Sequence, residues 1–67
     1  MKIDARGLSC PQPVLLTQQA LKSSPASVQV LVDNKTALGN VTRFATAAGY
    51  QVTTSEDNGD YILTLSK

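Results

Sequence analysis

Residues 27–49 have the sequence SVQVLVDNKTALGNVTRFATAAG, and this stretch decides the fold. Its first part, Ser27–Asp33, alternates polar and apolar side chains and is rich in valine, which is typical of a half-buried β-strand. Its second part has apolar residues three and four positions apart, which is typical of an amphipathic helix packed on a core. The stretch therefore predicts a strand followed by a helix. The apolar stripe of that helix consists of Ala37, Leu38, Val41, Phe44, Ala45 and Ala48.

The ends of this helix are also visible in the sequence. Asp33 and Asn34 both have side-chain oxygens that can accept hydrogen bonds from the first helical turn, so either can be the N-cap. Gly49 suits the position after the last turn, where the backbone often becomes left-handed. Gly39 lies inside the helix and should cost about 1 kcal/mol relative to alanine. We expect a helix bounded at both ends and weakened at one interior position.

Two strands are expected after this helix. The segments 50–54 and 61–65 are rich in β-branched and aromatic residues, as strands are. Between them, Asp57-Asn58-Gly59-Asp60 contains the Asn-Gly pair that favours a tight hairpin turn. The two segments are therefore expected to form an antiparallel hairpin.

The N-terminal third predicts one strand and one helix. Lys2–Ala5 alternates in polarity as a strand does, and a helix is expected from Pro11 to about Lys22, because proline is well tolerated at a first helical position. The resulting order, βαβαββ, predicts an α+β fold, a two-layer α/β sandwich with a mixed four-stranded sheet. Right-handed crossovers place both helices on one face of the sheet. The uncovered face is expected to carry threonine and other polar residues.

Size, charge and composition limit the functional classes. Residues 1–67 are enough for one domain, which can also be the N-terminal domain of a longer protein. The net charge is +1 and the six lysine and arginine residues are dispersed, which argues against nucleic acid as a partner. No stretch is apolar enough to span a membrane, and the N-terminus lacks the apolar core of a signal peptide. A single cysteine, which cannot form an internal disulfide, is consistent with a reducing cytoplasmic location.

Cys10 has the most distinctive chemistry, within the run Gly7-Leu8-Ser9-Cys10-Pro11-Gln12-Pro13. Proline favours extended geometry in the residue before it, and an N-cap residue needs that geometry. We therefore expect Cys10 to cap the first helix, where the helix dipole lowers the pKa of a thiol. Pro11 and Pro13 lack N–H groups, so the Gln12 amide is the main expected donor and the lowering of the pKa should be modest. The alternative is a small buried thiol without function, but the flanking turn and cap residues argue against it.

The rest of the composition narrows the chemistry of Cys10. A disulfide reductase needs a second cysteine and a cysteine hydrolase needs a histidine base, and the chain has neither. A metal site needs three or four ligands, so we expect no metal, and we expect no cofactor. What remains is a thiol that accepts a group and passes it on. Its thiolate can attack the outer sulfur of a donor persulfide by thiol–disulfide exchange chemistry.

Several segments of the chain match one family pattern. Gly7-Leu8-x-Cys10-Pro11-x-Pro13 resembles the motif that opens the first helix of the TusA/SirA-like sulfur-carrier family. The later segments look most like its YedF-type branch, in which the domain is often the N-terminal part of a protein linked to selenium metabolism. The resemblance implies that Cys10 is a persulfide carrier and that Gly7, Pro11 and Pro13 are its structural frame. The later segments are Val32-Asp33-Asn34-Lys35-x-Ala37, Asn40-Val41-x-Arg43-Phe44-Ala45 and Gly49-Tyr50.

The same resemblance implies the partners and leaves alternatives open. In the family, a cysteine desulfurase supplies sulfur, and the carrier passes it to a relay protein or to cofactor and tRNA thiolation. The chain would then be a sulfurtransferase-like carrier rather than a stand-alone turnover enzyme. One alternative is a selenium-handling variant, and another is a non-catalytic interaction module in which the thiol is incidental. Direct nucleic-acid binding is the least supported, and the sequence does not indicate an oligomeric state.

Four other residues near Cys10 affect which partner could bind. Arg6 could support a thiolate or be a solvated cation at a strand end. Leu16 falls outside the apolar stripe of the first helix and could belong to an exposed docking patch. Gln18 and Gln19 stand where the YedF-type branch is expected to have basic residues, so the positive charge near Cys10 is reduced.

Overall fold

The computed structural model describes residues 2–8, 12–23 and 25–67. Their order of elements is βαβαββ, which confirms the order predicted from the sequence. Pro11, the predicted start of the first helix, lies outside the described residues. The elements are β1 (Lys2–Asp4), α1 (Gln12–Leu21), β2 (Ser27–Val32), α2 (Lys35–Ala47), β3 (Gln51–Asp57) and β4 (Asp60–Ser66).

The four strands form one mixed sheet in the order β1-β2-β4-β3. β1 is parallel to β2, and β4 is antiparallel to both of its neighbours. β2 and β3 therefore run in the same direction without being adjacent, because β4 lies between them. The predicted fold class, a mixed four-stranded sheet with the last strand antiparallel and two helices, is confirmed. Neither helix in the described part of the chain is long and apolar enough to cross a membrane.

The core lies between the helices and one face of the sheet. Val28, Val30 and Val32 of β2 are fully buried. Their partners on β4 are Leu65, Leu63 and Tyr61 respectively, which point to the same face. Alternation along each strand thus directs the large apolar side chains towards the helices. The buried residues of α2 are Ala37, Val41 and Ala45.

The opposite face of the sheet is mostly polar, as predicted. Gln29, Thr64 and Thr53 form one cross-strand row on this face. Leu31 and Ile62 are an exception, because they are paired in register on this face and are half-buried. The sheet therefore has one apolar pair on the side that no helix covers.

The limits of α2 follow the predicted caps, with one choice resolved. Asn34 is the N-cap, and its side-chain oxygen accepts a 2.7 Å hydrogen bond from the Ala37 amide. Gly49 has φ = +93°, the left-handed conformation expected after a helix end. Ala48, which we predicted in the apolar stripe, is exposed because it is the C-cap and lies beyond the last helical turn.

The β3–β4 hairpin has the predicted turn but a longer first strand. Asn58 and Gly59 both have positive φ (53° and 86°), which the tight Asn-Gly turn requires. Asp57 pairs directly with Asp60, so β3 extends to the turn and does not stop at residue 54. Tyr50, predicted to begin this strand, lies before it and is buried. Its hydroxyl donates a 2.9 Å hydrogen bond to the Pro25 carbonyl.

Gly39 and Gly49 give a matched test of backbone conformation. A methyl group at either position meets no atom within 4 Å, but only Gly49 has positive φ. We expect Gly39→Ala to raise the free energy of unfolding by about 1 kcal/mol, because alanine loses less backbone entropy than glycine when the helix forms. Gly49→Ala should lower it by about 1 kcal/mol or more, because a left-handed backbone strains alanine.

Thermal unfolding measures both changes. A shift of about 1 kcal/mol corresponds to roughly 4–8 °C for a domain of this size, with opposite signs for the two variants. Equal shifts in the same direction would contradict the assignment of distinct backbone roles to the two glycines.

Candidate functional site

The candidate site is the connection between β1 and α1. Because β1 and β2 are parallel, both end at the same edge of the sheet, and the antiparallel strand β4 begins there. The Ala5 amide still donates to the Leu31 carbonyl at 2.8 Å, so the sheet pairing continues to residue 5. The chain then turns away towards α1. Cys10 and Pro11 belong to this connection and lie outside the described residues.

The start of the connection is fixed by Gly7. Its φ of +77° is in the left-handed region, and a methyl group at this position would have open space, so backbone conformation is what favours glycine here. Its amide donates a 2.8 Å hydrogen bond to Oδ2 of Asp33. Asp33, which the sequence offered as a possible cap for α2, therefore ties the turn after β1 to the end of β2. Its second oxygen, Oδ1, accepts from Asn34 Nδ2 at 3.2 Å.

Arg6 forms an ionic network at the same edge. Its Nε and Nη2 donate to the two carboxylate oxygens of Asp4 at 2.9 Å, and its Nη1 donates to Asp60 at 3.2 Å. Hydrogen bonding from the Arg6 side chain lowers the pKa of Asp4 from its ordinary 3.8 to about 2. The two carboxylates in turn raise the pKa of Arg6 further above its usual range. Arg6 is thus a strand-end cation that is exposed to solvent and paired with two carboxylates.

The far end of the connection is held by the first turn of α1. Gln12, the first residue of the helix, is exposed, whereas Pro13 is buried in the core. Thr17 is fully buried, and its hydroxyl donates a 2.9 Å hydrogen bond to the Pro13 carbonyl. A polar side chain can therefore occupy the core here without an unsatisfied hydroxyl. Gly7 and Pro13 are each held by a hydrogen bond, and their predicted support of Cys10 stays a prediction.

A groove of about 360 Å³ lies beside the connection. Leu15 is 48% exposed, whereas Leu16 is half-buried and packs against the core. The expectation that Leu16 is the exposed apolar residue was wrong by one position. The pattern of α1 is not simply amphipathic, because the helix buries the polar Thr17 and exposes Leu15. The groove is lined by Leu8, Gln12, Leu15, Leu16 and Gln19.

The whole chain matches a known family. The model of the sulfurtransferase TusA family matches residues 1–67. The chain belongs to the TusA family. This confirms the resemblance to TusA/SirA-like proteins, while the closer likeness to the YedF-type branch stays a prediction.

Individual relatives of this TusA-family chain agree with that assignment. It is 41% identical over 58 residues to a protein of Methanocaldococcus jannaschii named as a sulfur carrier, covering 84% of this chain and 77% of the relative. It is 29% identical over 62 residues to a Bacillus subtilis protein with a similar name, covering 90% and 83%. The crystal structure of a SirA-like protein from Desulfitobacterium hafniense superposes with a TM-score of 0.86 at 38% identity. That match covers 97% of this chain and 93% of the other.

The Asp33–Gly7 hydrogen bond of this TusA-family chain can be tested by amide exchange. We expect Asp33→Ala to reduce the protection of the Gly7 amide about fivefold, because a hydrogen bond to a side chain contributes about 1 kcal/mol. Hydrogen–deuterium exchange followed by NMR measures this residue by residue. Asp57→Ala is the matched control, since Asp57 is an exposed carboxylate at the hairpin and should leave Gly7 unchanged. Unchanged Gly7 protection in Asp33→Ala would contradict the anchoring role.

The Asp4–Arg6 pair predicts a specific titration. Because the pKa of Asp4 in the folded protein is about 2, below its ordinary 3.8, the ionised pair favours the folded state above pH 3.8. That contribution is lost as the pH falls towards 2. NMR titration of the Asp4 carboxyl carbon should show the low pKa, and Arg6→Gln should move it back towards 3.8. Lys2→Gln, which removes a charge without a hydrogen bond, should shift it much less; equal shifts would refute the bonding explanation.

Proposed function

We propose that the chain accepts sulfane sulfur as a persulfide on Cys10 and relays it to a downstream protein acceptor. The observation that carries this proposal is the position of the chain's only thiol, between Gly7 and Pro13, in a chain of the TusA family. A sulfur-carrier role is common to the names of its relatives. Persulfide formation on Cys10 is the chemical step that a single thiol can perform.

The proposed transfer is a pair of exchange reactions. The Cys10 thiolate attacks the outer sulfur of a donor persulfide, a new S–S bond forms, and the donor leaves as a thiolate. An acceptor nucleophile then attacks the outer sulfur on Cys10, and the Cys10 thiolate leaves. One sulfur atom moves in each step and no net oxidation occurs. Neither step requires a histidine base once the thiolate is present, which agrees with a chain that has no histidine.

The described residues support the proposal by fixing both ends of the segment that contains Cys10. At one end, Asp33 holds the Gly7 amide. At the other, Pro13 is buried and Thr17 donates a hydrogen bond to its carbonyl. Positioning a reactive group in advance lowers the entropy cost of a transfer, and this is the advantage that anchored flanking residues would give Cys10.

The charges around the connection favour a thiol pKa that is lowered modestly and not strongly. A helix N-terminus favours an anion, and α1 begins two residues after Cys10 in the sequence. Three carboxylates lie at the same edge of the sheet, those of Asp4, Asp33 and Asp60. The positive charge of Arg6 is paired with two of them, Asp4 and Asp60. Negative charge opposes a nearby thiolate. We therefore keep the prediction of a modestly lowered pKa for Cys10, and a reducing cytoplasm as the location in which such a thiol persists.

Sulfur loading tests the proposal directly. The purified chain is incubated with a cysteine desulfurase and free cysteine, and its intact mass is recorded without reductant. We expect a gain of one sulfur atom that reductant reverses, because a persulfide adds one sulfur atom to the thiol through a reducible S–S bond. Cys10→Ser should remove the gain completely. In parallel, an inorganic polysulfide supplies sulfur without a protein donor.

The outcomes separate the proposal from its alternatives. If neither the desulfurase nor the polysulfide loads a reduced and accessible Cys10, persulfide chemistry is refuted. If loading occurs but Cys10→Ser retains cellular function, the thiol is incidental and the chain is an interaction module. Repeating the reaction with a selenium donor distinguishes a selenium-handling variant from a sulfur carrier.

A further inference from the structure

The groove beside the β1–α1 connection has no role in the chemistry described above. Its volume of about 360 Å³ is at the small end of the range for ligand pockets. Such a volume fits one or two side chains and not an element of secondary structure. Leu8 reaches the groove from the β1 side, and Leu15 and Leu16 reach it from α1.

The surface of α1 is uncharged throughout. Residues Gln12–Leu21 contain no ionisable side chain, and the polar residues that line the groove are glutamines. Among the described residues, Leu15 is the large apolar side chain that remains exposed. A charged partner segment would lose hydration here without gaining an ion pair. The groove therefore complements an aliphatic, uncharged segment.

The extent of the groove argues against a second copy of the chain as its occupant. A stable protein–protein interface buries about 800 Å² on each side and involves roughly 20–30 residues per partner. Among the described residues, five line the groove. A contact of this size gives brief binding, which suits a carrier that must release each partner after transfer.

The sequence places the groove within reach of the thiol. Leu8 and Gln12, which line it, are two residues before and two residues after Cys10. A stretch of two residues spans at most about 7 Å, so chain length limits how far the groove can lie from the thiol. A side chain next to a partner's reactive cysteine can thus occupy the groove while the two sulfur atoms exchange.

We propose that this groove binds an aliphatic side chain that flanks the reactive cysteine of the protein exchanging sulfur with Cys10. This inference rests on the proposed function and adds the chemistry of the partner. Recognition is apolar and independent of salt, and Leu15 is its main contact. Leu15 is a positioning residue, since it acts on the approach of the partner and not on the sulfur atoms.

Short capped peptides test this without knowledge of the natural partner. Each peptide contains a cysteine as a mixed disulfide with nitrothiobenzoate, flanked either by leucine or by serine. The Cys10 thiolate attacks the peptide sulfur, a protein–peptide disulfide forms, and nitrothiobenzoate leaves as a coloured thiolate. We expect the leucine peptide to react about tenfold faster than the serine peptide. Burying about half of its leucine side chain in the groove stabilises the complex in which the sulfur atoms exchange. The ratio should not change with salt concentration.

Variants of α1 provide the controls. Leu15→Gln should abolish the preference for the leucine peptide and leave the rate with a symmetrical small disulfide unchanged. Gln19→Lys should reduce the preference, whereas Gln18→Lys, the same change at a neighbouring exposed residue outside the groove, should not. Circular dichroism verifies that each variant is folded.

The outcomes either support or overturn the proposed role of the groove. Equal rates for the two peptides with the unmodified chain would overturn the proposal, as would a leucine preference that persists in Leu15→Gln. A loss of rate with every disulfide in Leu15→Gln would also overturn it, because Leu15 would then act on Cys10 itself. A clear leucine preference in a chain that polysulfide and desulfurase fail to load would support the groove and refute the carrier function.

Discussion

The pairing of β2 with β4 is the interaction on which the rest of the structure depends. It sets three fully buried valines opposite Leu65, Leu63 and Tyr61 on the face that meets the helices. Five of these six residues are among the ten buried hydrophobic residues of the described core, and small domains have little stability to spare. β1 and β3 add to either side of this pair, and α2 covers it with Ala37, Val41 and Ala45.

The same pairing assembles the edge at which the candidate site lies. β4 begins where β2 ends, so Asp60 comes close enough to Arg6 for a hydrogen bond across 54 positions of sequence. Asp33, directly after β2, reaches Gly7 after β1 because those two strands are parallel neighbours. The positions of Gly7 and Arg6 at this edge are therefore a consequence of sheet topology as much as of their own sequence neighbours.

Local sequence signals were sufficient for most of the fold. The alternation in Ser27–Asp33, the Asn58-Gly59 turn and the position of Gly49 each depend on neighbouring residues, and the structure agrees with all three. Long-range partners were not predictable in this way. Asp33 was predicted as a possible helix cap. Its hydrogen-bond partner, Gly7, is 26 positions away in sequence, and a local pattern cannot reveal such a partner.

Helix α1 shows a different limit. Leu16 was predicted to fall outside the apolar stripe of α1, whereas it packs against the core and Leu15 is the exposed leucine. Thr17 is buried because its hydroxyl is satisfied inside its own helix, by the Pro13 carbonyl. The family resemblance anticipated the fold and the sulfur-carrier class, but it does not contain this arrangement of side chains.

The packing of α1 on the core separates the stability of the fold from the recognition of partners, two properties that are coupled in most small domains. Of its residues, only Pro13 and Thr17 are buried, while Gln12, Leu15, Gln18 and Gln19 are exposed. Substitutions on this outer surface change little of the packed interior, so their cost in stability is small. A lineage of such chains can therefore change the partners it meets by altering a few side chains of one helix, without rebuilding the sheet that holds its cysteine.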